Sequence, residues 1–109
     1  FATAYTMSCA IKKIKDYDII ICGRQAIDGD TAQTGPQLSE CLSIPQITYV
    51  RDIKIEGGKL IAKSVFGEIS RIVETPLPAL VTVTKEMNVP RYPTIRGITS
   101  AYREKKIVV

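Results

Sequence analysis

Apolar positions change their spacing along this chain, and the changes mark out its elements. Between Ala2 and Ile14 they fall at Ala4, Met7, Ala10, Ile11 and Ile14, the spacing of one helix face. Lys12, Lys13 and Lys15 complement the C-terminal dipole of that helix. The run Asp18-Ile19-Ile20-Ile21-Cys22 is too uniformly apolar for a half-exposed edge and suits a parallel strand covered on both faces. Thr31 to Leu42 predicts a second helix, with Asp30 or Thr31 as its N-cap and Pro36 in its first turn. Pro45 to Val50 predicts a strand close enough to that helix to complete a β-α-β unit.

Further on the period shortens. Ile53 to Ile55 and Lys59 to Ala62 partly alternate around Gly57-Gly58, which predicts a β-hairpin. Ile69 to Val73 adds a third antiparallel strand, and Ala79 to Thr84 a buried one whose entry Pro76 and Pro78 bracket. Glu86 to Ile98 holds two prolines and a glycine with little periodicity, and so predicts an extended loop. Thr99 to Lys106 predicts a short helix, and Ile107 to Val109 a terminal strand. The sum is an α/β domain with a parallel sheet, a small antiparallel meander and a C-terminal arm.

Composition narrows the chemistry. With 109 residues, 45% hydrophobic and 24% charged, the chain has the balance and size of one small soluble domain. No apolar run approaches the ~18 residues of a membrane span. The chain opens on Phe1 without a basic segment followed by an apolar block, so no secretory signal is expected; a missing front is. It contains no histidine, which removes the commonest general base and most zinc sites. Cys9, Cys22 and Cys41 form no CxxC pair and read as small core residues in a reducing compartment. Of the three, Cys22 lies beside the loop discussed next.

That loop runs Gly23-Arg24-Gln25-Ala26-Ile27-Asp28-Gly29-Asp30-Thr31-Ala32-Gln33-Thr34. A strand, a polar loop and a helix start, in that order, make an anion site, because backbone N–H groups and the helix dipole favour a phosphate there. It is neither Gly-x-Gly-x-x-Gly nor a P-loop. Asp28 and Asp30 repel bare phosphate and suit ribose hydroxyls. They have no histidine or base to work with as a catalytic pair, and a metal would want a third oxygen ligand. On chemistry alone the loop reads more readily as a solvated connection with a well-capped helix.

The charge is unevenly spread. Up to Thr84 there are nine basic and nine acidic residues, while from Lys85 onward there are six basic and two acidic. Within that basic stretch, Arg91 and Arg96 flank Tyr92 and Ile95 in Pro90-Arg91-Tyr92-Pro93-Thr94-Ile95-Arg96. Apolar tips with basic rims suit protein docking. One tyrosine among scattered bases is a thin footprint for nucleic acid.

The stretch from Gly23 to Gln37 resembles the nucleotide loop of the electron transfer flavoprotein β subunit. The stretch from Pro78 to Ile98 resembles that subunit's strand and recognition loop. The resemblance covers essentially the whole chain and implies a longer parent subunit. It implies a Rossmann-like sheet of the adenine-nucleotide-binding type, with a partial nucleotide-binding domain over 1–84 and a basic recognition arm over 85–109. It also implies a heterodimer with an α subunit that carries FAD, and AMP or a second FAD held by Gly23 to Thr34, with the amides near Ala32, Gln33 and Thr34 on the phosphate. Ile95 would anchor the carrier on an acyl-CoA dehydrogenase or related enzyme, its basic neighbours facing an acidic surface. The resemblance further implies an electron carrier subunit, with NADH-dependent flavin reduction only in the electron-bifurcating form. The Asp28-Gly29-Asp30-Thr31-Ala32-Gln33 pattern is closer to the anaerobic bacterial type, which implies a cytoplasmic protein rather than one of the mitochondrial matrix. Two departures from the family pattern stand out, Thr99-Ser100-Ala101-Tyr102-Arg103 in the arm and Val65-Phe66-Gly67-Glu68 in the turn before the Leu77-Pro78 strand. A stand-alone adenine-nucleotide-binding regulatory module is the alternative.

Overall fold

The computed structural model describes residues 1–104. Helix α1 is Ala2–Ile14, strand β1 Ile19–Gly23, helix α2 Thr34–Leu42, and strands β2 to β5 are Gln46–Glu56, Lys59–Phe66, Ile69–Pro76 and Ala79–Val83. A 3-10 turn over Lys85–Met87 and helix α3, Ile95–Arg103, complete the order. The five strands form one mixed sheet in the order β1-β5-β2-β3-β4. Strand β5 runs parallel to both β1 and β2, while β2, β3 and β4 form the antiparallel meander.

The last strand among the described residues, β5, is central in the sheet because it is the most uniformly apolar. Ala79, Leu80, Val81 and Thr82 are all buried. Its alternating side chains serve two cores. Leu80 meets Ala4 of α1 and Leu38 of α2 on the helical face. Ala79 and Val81 meet Ile47, Val50, Leu60 and Ala62 on the other, where no helix takes part. Burying a leucine of this kind contributes roughly 1.5–3 kcal/mol.

Several expectations shift. Strand β5 separates β1 from β2, so the β-α-β unit skips a strand rather than joining neighbours. Strand β1 pairs on one side only and leaves Ile21 62% exposed, so it is not covered throughout. The two segments around Pro45–Val50 and Ile53–Ile55 are one strand. Its register shifts between Val50 and Asp52, which turns it from parallel pairing with β5 to antiparallel pairing with β3. Such a bulge adds local twist, and here it lets Leu60 and Ala62 reach Val81. The Gly57-Gly58 turn is as expected, both glycines having positive φ.

Helix α1 has the expected span, but its buried residues are Ala4 and Ser8, with Ile11 half-buried. Met7, Ala10 and Ile14 of the expected face are exposed. Small side chains at Ala4 and Ser8 bring α1 close to α2, and Ser8 hides its hydroxyl by donating to the Tyr5 carbonyl at 2.7 Å. Cys9 is exposed rather than in the core, because it falls outside that narrow stripe; Cys22 and Cys41 are half-buried.

The arm differs most. Ile95 to Ile98, expected as loop, begins α3. The Thr94 hydroxyl oxygen accepts the Gly97 N–H at 3.1 Å, a side-chain N-cap that starts the helix just after Pro93. The expectations for Lys105, Lys106 and Ile107 to Val109 lie outside the described residues.

Candidate functional site

Strand β1 delivers the loop to the C-terminal edge of the parallel strands, where open α/β sheets bind ligands. The Arg24 N–H still donates to the Val83 carbonyl at 3.0 Å, so the ladder holds the loop's root. The chain then turns over Ile27 to Gly29, and the Asp30 N–H closes on the Ala26 carbonyl at 3.2 Å. Asp30 and Ala32 have φ of 46° and 54°. A right-handed helix cannot pass through left-handed residues. For that reason α2 starts at Thr34 with Gln33 as its N-cap, and neither Asp30 nor Thr31 caps it. Pro36 sits in the first turn as expected.

Gln33 makes no side-chain cap bond; its amide oxygen instead accepts from Gln37 Nε2 at 3.2 Å. The first helical bond is Gln37 N–H to the Gln33 carbonyl. The amides of Thr34 and Gly35 therefore have no partner on the helix and face the loop's end, where the positive helix pole lies. Gly35 fixes this pole against the sheet. A Cβ there would stand 2.5 Å from Thr82 Cγ2 and 3.5 Å from Leu80 Cδ2, so only glycine lets α2 approach β5 this closely.

The loop walls a cleft of about 500 Å³, within the usual range of small-molecule sites. Of the expected residues, Gly23, Arg24, Gln25, Ala26, Gly29, Asp30, Thr31, Ala32, Gln33 and Thr34 line it. Ile27 and Asp28 do not; Ile27 is fully exposed at the loop's tip. Met7 and Gly35 also line the cleft and were missed, since the packing of α1 and α2 that brings them there leaves no local pattern. Cys22 lines it too. Burial pushes its thiol pKa up, so it is a neutral wall that does not repel an anion.

Inside the loop, Arg24 Nε donates to Gln25 Oε1 at 3.0 Å, and Gln25 Nε2 donates to Asp30 Oδ1. The Asp30 carboxylate is thus occupied, and the Arg24 guanidinium is the cation of the cleft wall. No group of three or more metal-ligating side chains occurs among the described residues. A neutral thiol, helix amides without a helical partner and one arginine favour an anionic group in the cleft, with Asp30 the carboxylate on its wall.

The arm residues Pro90, Arg91, Tyr92, Pro93, Thr94, Ile95 and Arg96 are all exposed, with Tyr92 93% and Ile95 86% accessible. None of them lines the loop cleft. In α3 no residue is buried, and Ile95, Ile98 and Tyr102 follow one helical stripe.

The electron transfer flavoprotein domain model matches residues 1–108. The chain belongs to the electron transfer flavoprotein domain family. Among similar proteins is the electron transfer flavoprotein subunit beta of Thermoanaerobacterium thermosaccharolyticum, 54% identical over all of this chain and 42% of its own length. The caffeyl-CoA reductase-Etf complex subunit CarD of Acetobacterium woodii is 46% identical over 95% of this chain and 40% of its own length. The acryloyl-CoA reductase electron transfer subunit gamma of Anaerotignum propionicum is 44% identical over the whole chain and 42% of its own length. The chain thus spans about two fifths of the family relatives it matches. No helix among the described residues is long and apolar enough to cross a membrane.

Proposed function

We propose that this chain is the nucleotide-holding and partner-docking part of an electron transfer flavoprotein β subunit of the anaerobic bacterial, cytoplasmic type. Residues 1–84 form its share of a Rossmann-like nucleotide-binding domain, and residues 85–109 its recognition arm. The observation that carries the reading is the cleft at the C-terminal edge of β1 and β5, walled by the loop and ending at the free amides of Thr34 and Gly35.

In this reading Gly23 to Thr34 hold AMP or a second FAD, and the second FAD is favoured. The amides of Ala32, Gln33 and Thr34 hold the phosphate, and Arg24 adds charge. The FAD of a paired α subunit supplies the redox chemistry. The side chains of this chain bind, orient and shield the nucleotide; they break no substrate bond. The arm presents Ile95 to an acyl-CoA dehydrogenase or related enzyme, with Arg91 and Arg96 steering the encounter. Two relatives carry names that tie them to reductases of CoA thioesters, which supports a partner of that substrate class.

The deciding experiment is nucleotide content of the full-length αβ complex by acid extraction and mass spectrometry. One FAD plus one further adenine nucleotide per heterodimer is expected, and two FAD would identify the bifurcating form. One FAD and nothing else overturns the reading of the loop.

A further inference from the structure

Every residue from Asn88 to Glu104 is exposed, and the last half-buried side chains before them are Val83, Thr84 and Met87. The direction in which the arm leaves the sheet is therefore decided at its root, between the end of β5 and Met87. That root is pinned to β2. The Thr84 N–H donates to the Val50 carbonyl at 3.1 Å, one residue past the Val50–Val83 pair of the parallel ladder. The Met87 N–H then donates to the Thr84 carbonyl at 3.1 Å and turns the chain. The Thr84 hydroxyl stands 3.5 Å from the same Val50 carbonyl and also serves the Glu86 carboxylate. Having one proton, it donates to one of them at a time.

Strand β2 is shaped to meet this turn. Val50 pairs with Ser64 and Asp52 with Lys63, so Arg51 is an extra residue between two ladder pairs. A bulge of this kind re-aims a side chain, and Arg51 lines one cleft with Thr84 and Glu86. Its guanidinium, with Lys85, adds to the hydrogen bonds that keep Glu86 ionised. Arg51 and Glu86 are both exposed, so their attraction is weak and reversible. It is nonetheless directed from the bulge to the first turn of the arm's root.

We infer that the Arg51 bulge and the Thr84–Met87 turn form the joint that aims the recognition arm, with Thr84, Arg51 and Glu86 as its positioning residues. Thr84 fixes the pivot through its N–H and hydroxyl. Arg51 and Glu86 set the angle, and none of the three touches the docked enzyme. The inference rests on the proposed docking role of the arm and adds to it the residues that orient Ile95, which lies well beyond the joint in sequence.

The test uses the full-length αβ complex with its flavin in place, titrated as carrier against an acyl-CoA dehydrogenase of its host cell. A soluble dye acceptor supplies a reaction that needs no docking, and Ile95→Asp is the control for the arm itself. Thr84→Val and Glu86→Gln are each expected to raise KM for the carrier about 3-fold with kcat and dye reduction unchanged, the size that a solvent-screened contact can move. Thr84→Ser is expected to match wild type. Arg51→Gln should raise KM by the same factor, and Arg51→Gln combined with Glu86→Gln by no more than either alone. Exchanging the charges, Arg51→Glu with Glu86→Arg, should restore KM. Bulk steering by a basic arm predicts instead that Glu86→Gln lowers KM while Arg51→Gln raises it. That result overturns the inference, as does an unchanged KM in Thr84→Val and Glu86→Gln while Ile95→Asp raises it. If Ile95→Asp leaves KM unchanged, the docking arm itself has failed and the joint falls with it. Glu86 is exposed, so its variant keeps the test decisive should Thr84→Val misfold.

Discussion

Thr82 Oγ1 accepts the backbone N–H of Tyr49 at 3.1 Å, so a side chain of one parallel strand replaces a ladder bond that its neighbour gives up. At Tyr49 the φ is 56°, and the register between β2 and β5 slips between Ile47 and Val50. Without Thr82 the bulge would leave a backbone donor unpaired in the interior, since Thr82 is 2% exposed.

Thr82→Val keeps the shape and removes the acceptor. A stability loss of about 1–3 kcal/mol is expected, the cost of an orphaned buried donor. Chemical denaturation of the full-length subunit in its complex measures it. Thr82→Ser keeps the acceptor and should recover most of the loss; a loss in Thr82→Ser with none in Thr82→Val would show that the methyl group, not the hydrogen bond, matters.

Thr82 also faces Gly35 through its methyl group. Gly35→Ala places a carbon 2.5 Å from Thr82 Cγ2. Overpacking of this kind costs about 1–3 kcal/mol, against about 1 kcal/mol gained in helix propensity. A net loss is expected in the native background. With Thr82→Ser, which deletes the methyl, Gly35→Ala should become neutral or stabilising. A double-mutant cycle reads the coupling directly.

On the proposed docking role, Ile95→Asp in the full-length complex should slow electron transfer to the proposed dehydrogenase partner at least 10-fold with flavin content and melting temperature unchanged, because Ile95 is exposed and touches no core cluster. Thr94→Ala acts differently. It removes the N-cap of a nine-residue helix, a change of ~0.5–2 kcal/mol felt by α3 alone. The expected result is a smaller loss of coupling to the dehydrogenase, recovered by Thr94→Ser.

The pH profile of stability should be flat between roughly pH 5 and 9 and fall outside it, as far as the shifted groups decide it. The Thr84 hydroxyl lowers the Glu86 pKa; its contribution is present above the ordinary carboxylate range and lost as pH falls through the folded value. Hydrogen bonding to Glu74 at 2.5 Å raises the Lys59 pKa; that contribution is present below the ordinary lysine range and lost as pH rises. Burial raises the Cys22 thiol pKa, so above the ordinary thiol range the unfolded chain is favoured. Both exposed groups act weakly. Denaturation at stepped pH, with Cys22→Ser to isolate the alkaline limb, checks the windows.

Much of this was written locally. β5 could be read from Ala79 to Val83 because its residues are buried on both faces and nothing polar interrupts them except Thr82. The Gly57-Gly58 hairpin could be read because those glycines are the residues that tolerate the turn. The loop cleft was legible as a strand, a polar loop and a helix start, and ten of its twelve expected residues line it. The start of α3 was hidden by Pro90 and Pro93, whose breaking effect outweighed the single capping residue Thr94 that follows. The bulge at Tyr49 was hidden because its bond partner, Thr82, lies 33 residues away. Strand order was hidden for the same reason, since no local pattern says that β5 inserts between β1 and β2.

That insertion bears on how the protein is made. Ile19 pairs with Ala79, a separation of about 60 residues, and ribosomes add roughly 5–20 residues per second. A nascent chain therefore carries β1 and the first half of β2 for several seconds with no β5 to join them, while the local β2-β3 hairpin can already close. Among the described strands, the sheet acquires its central one last. During that interval the apolar edge at Ile19 to Cys22 is the segment most in need of a chaperone, and substitutions in β5 should lower the yield of soluble subunit more than they lower its final stability.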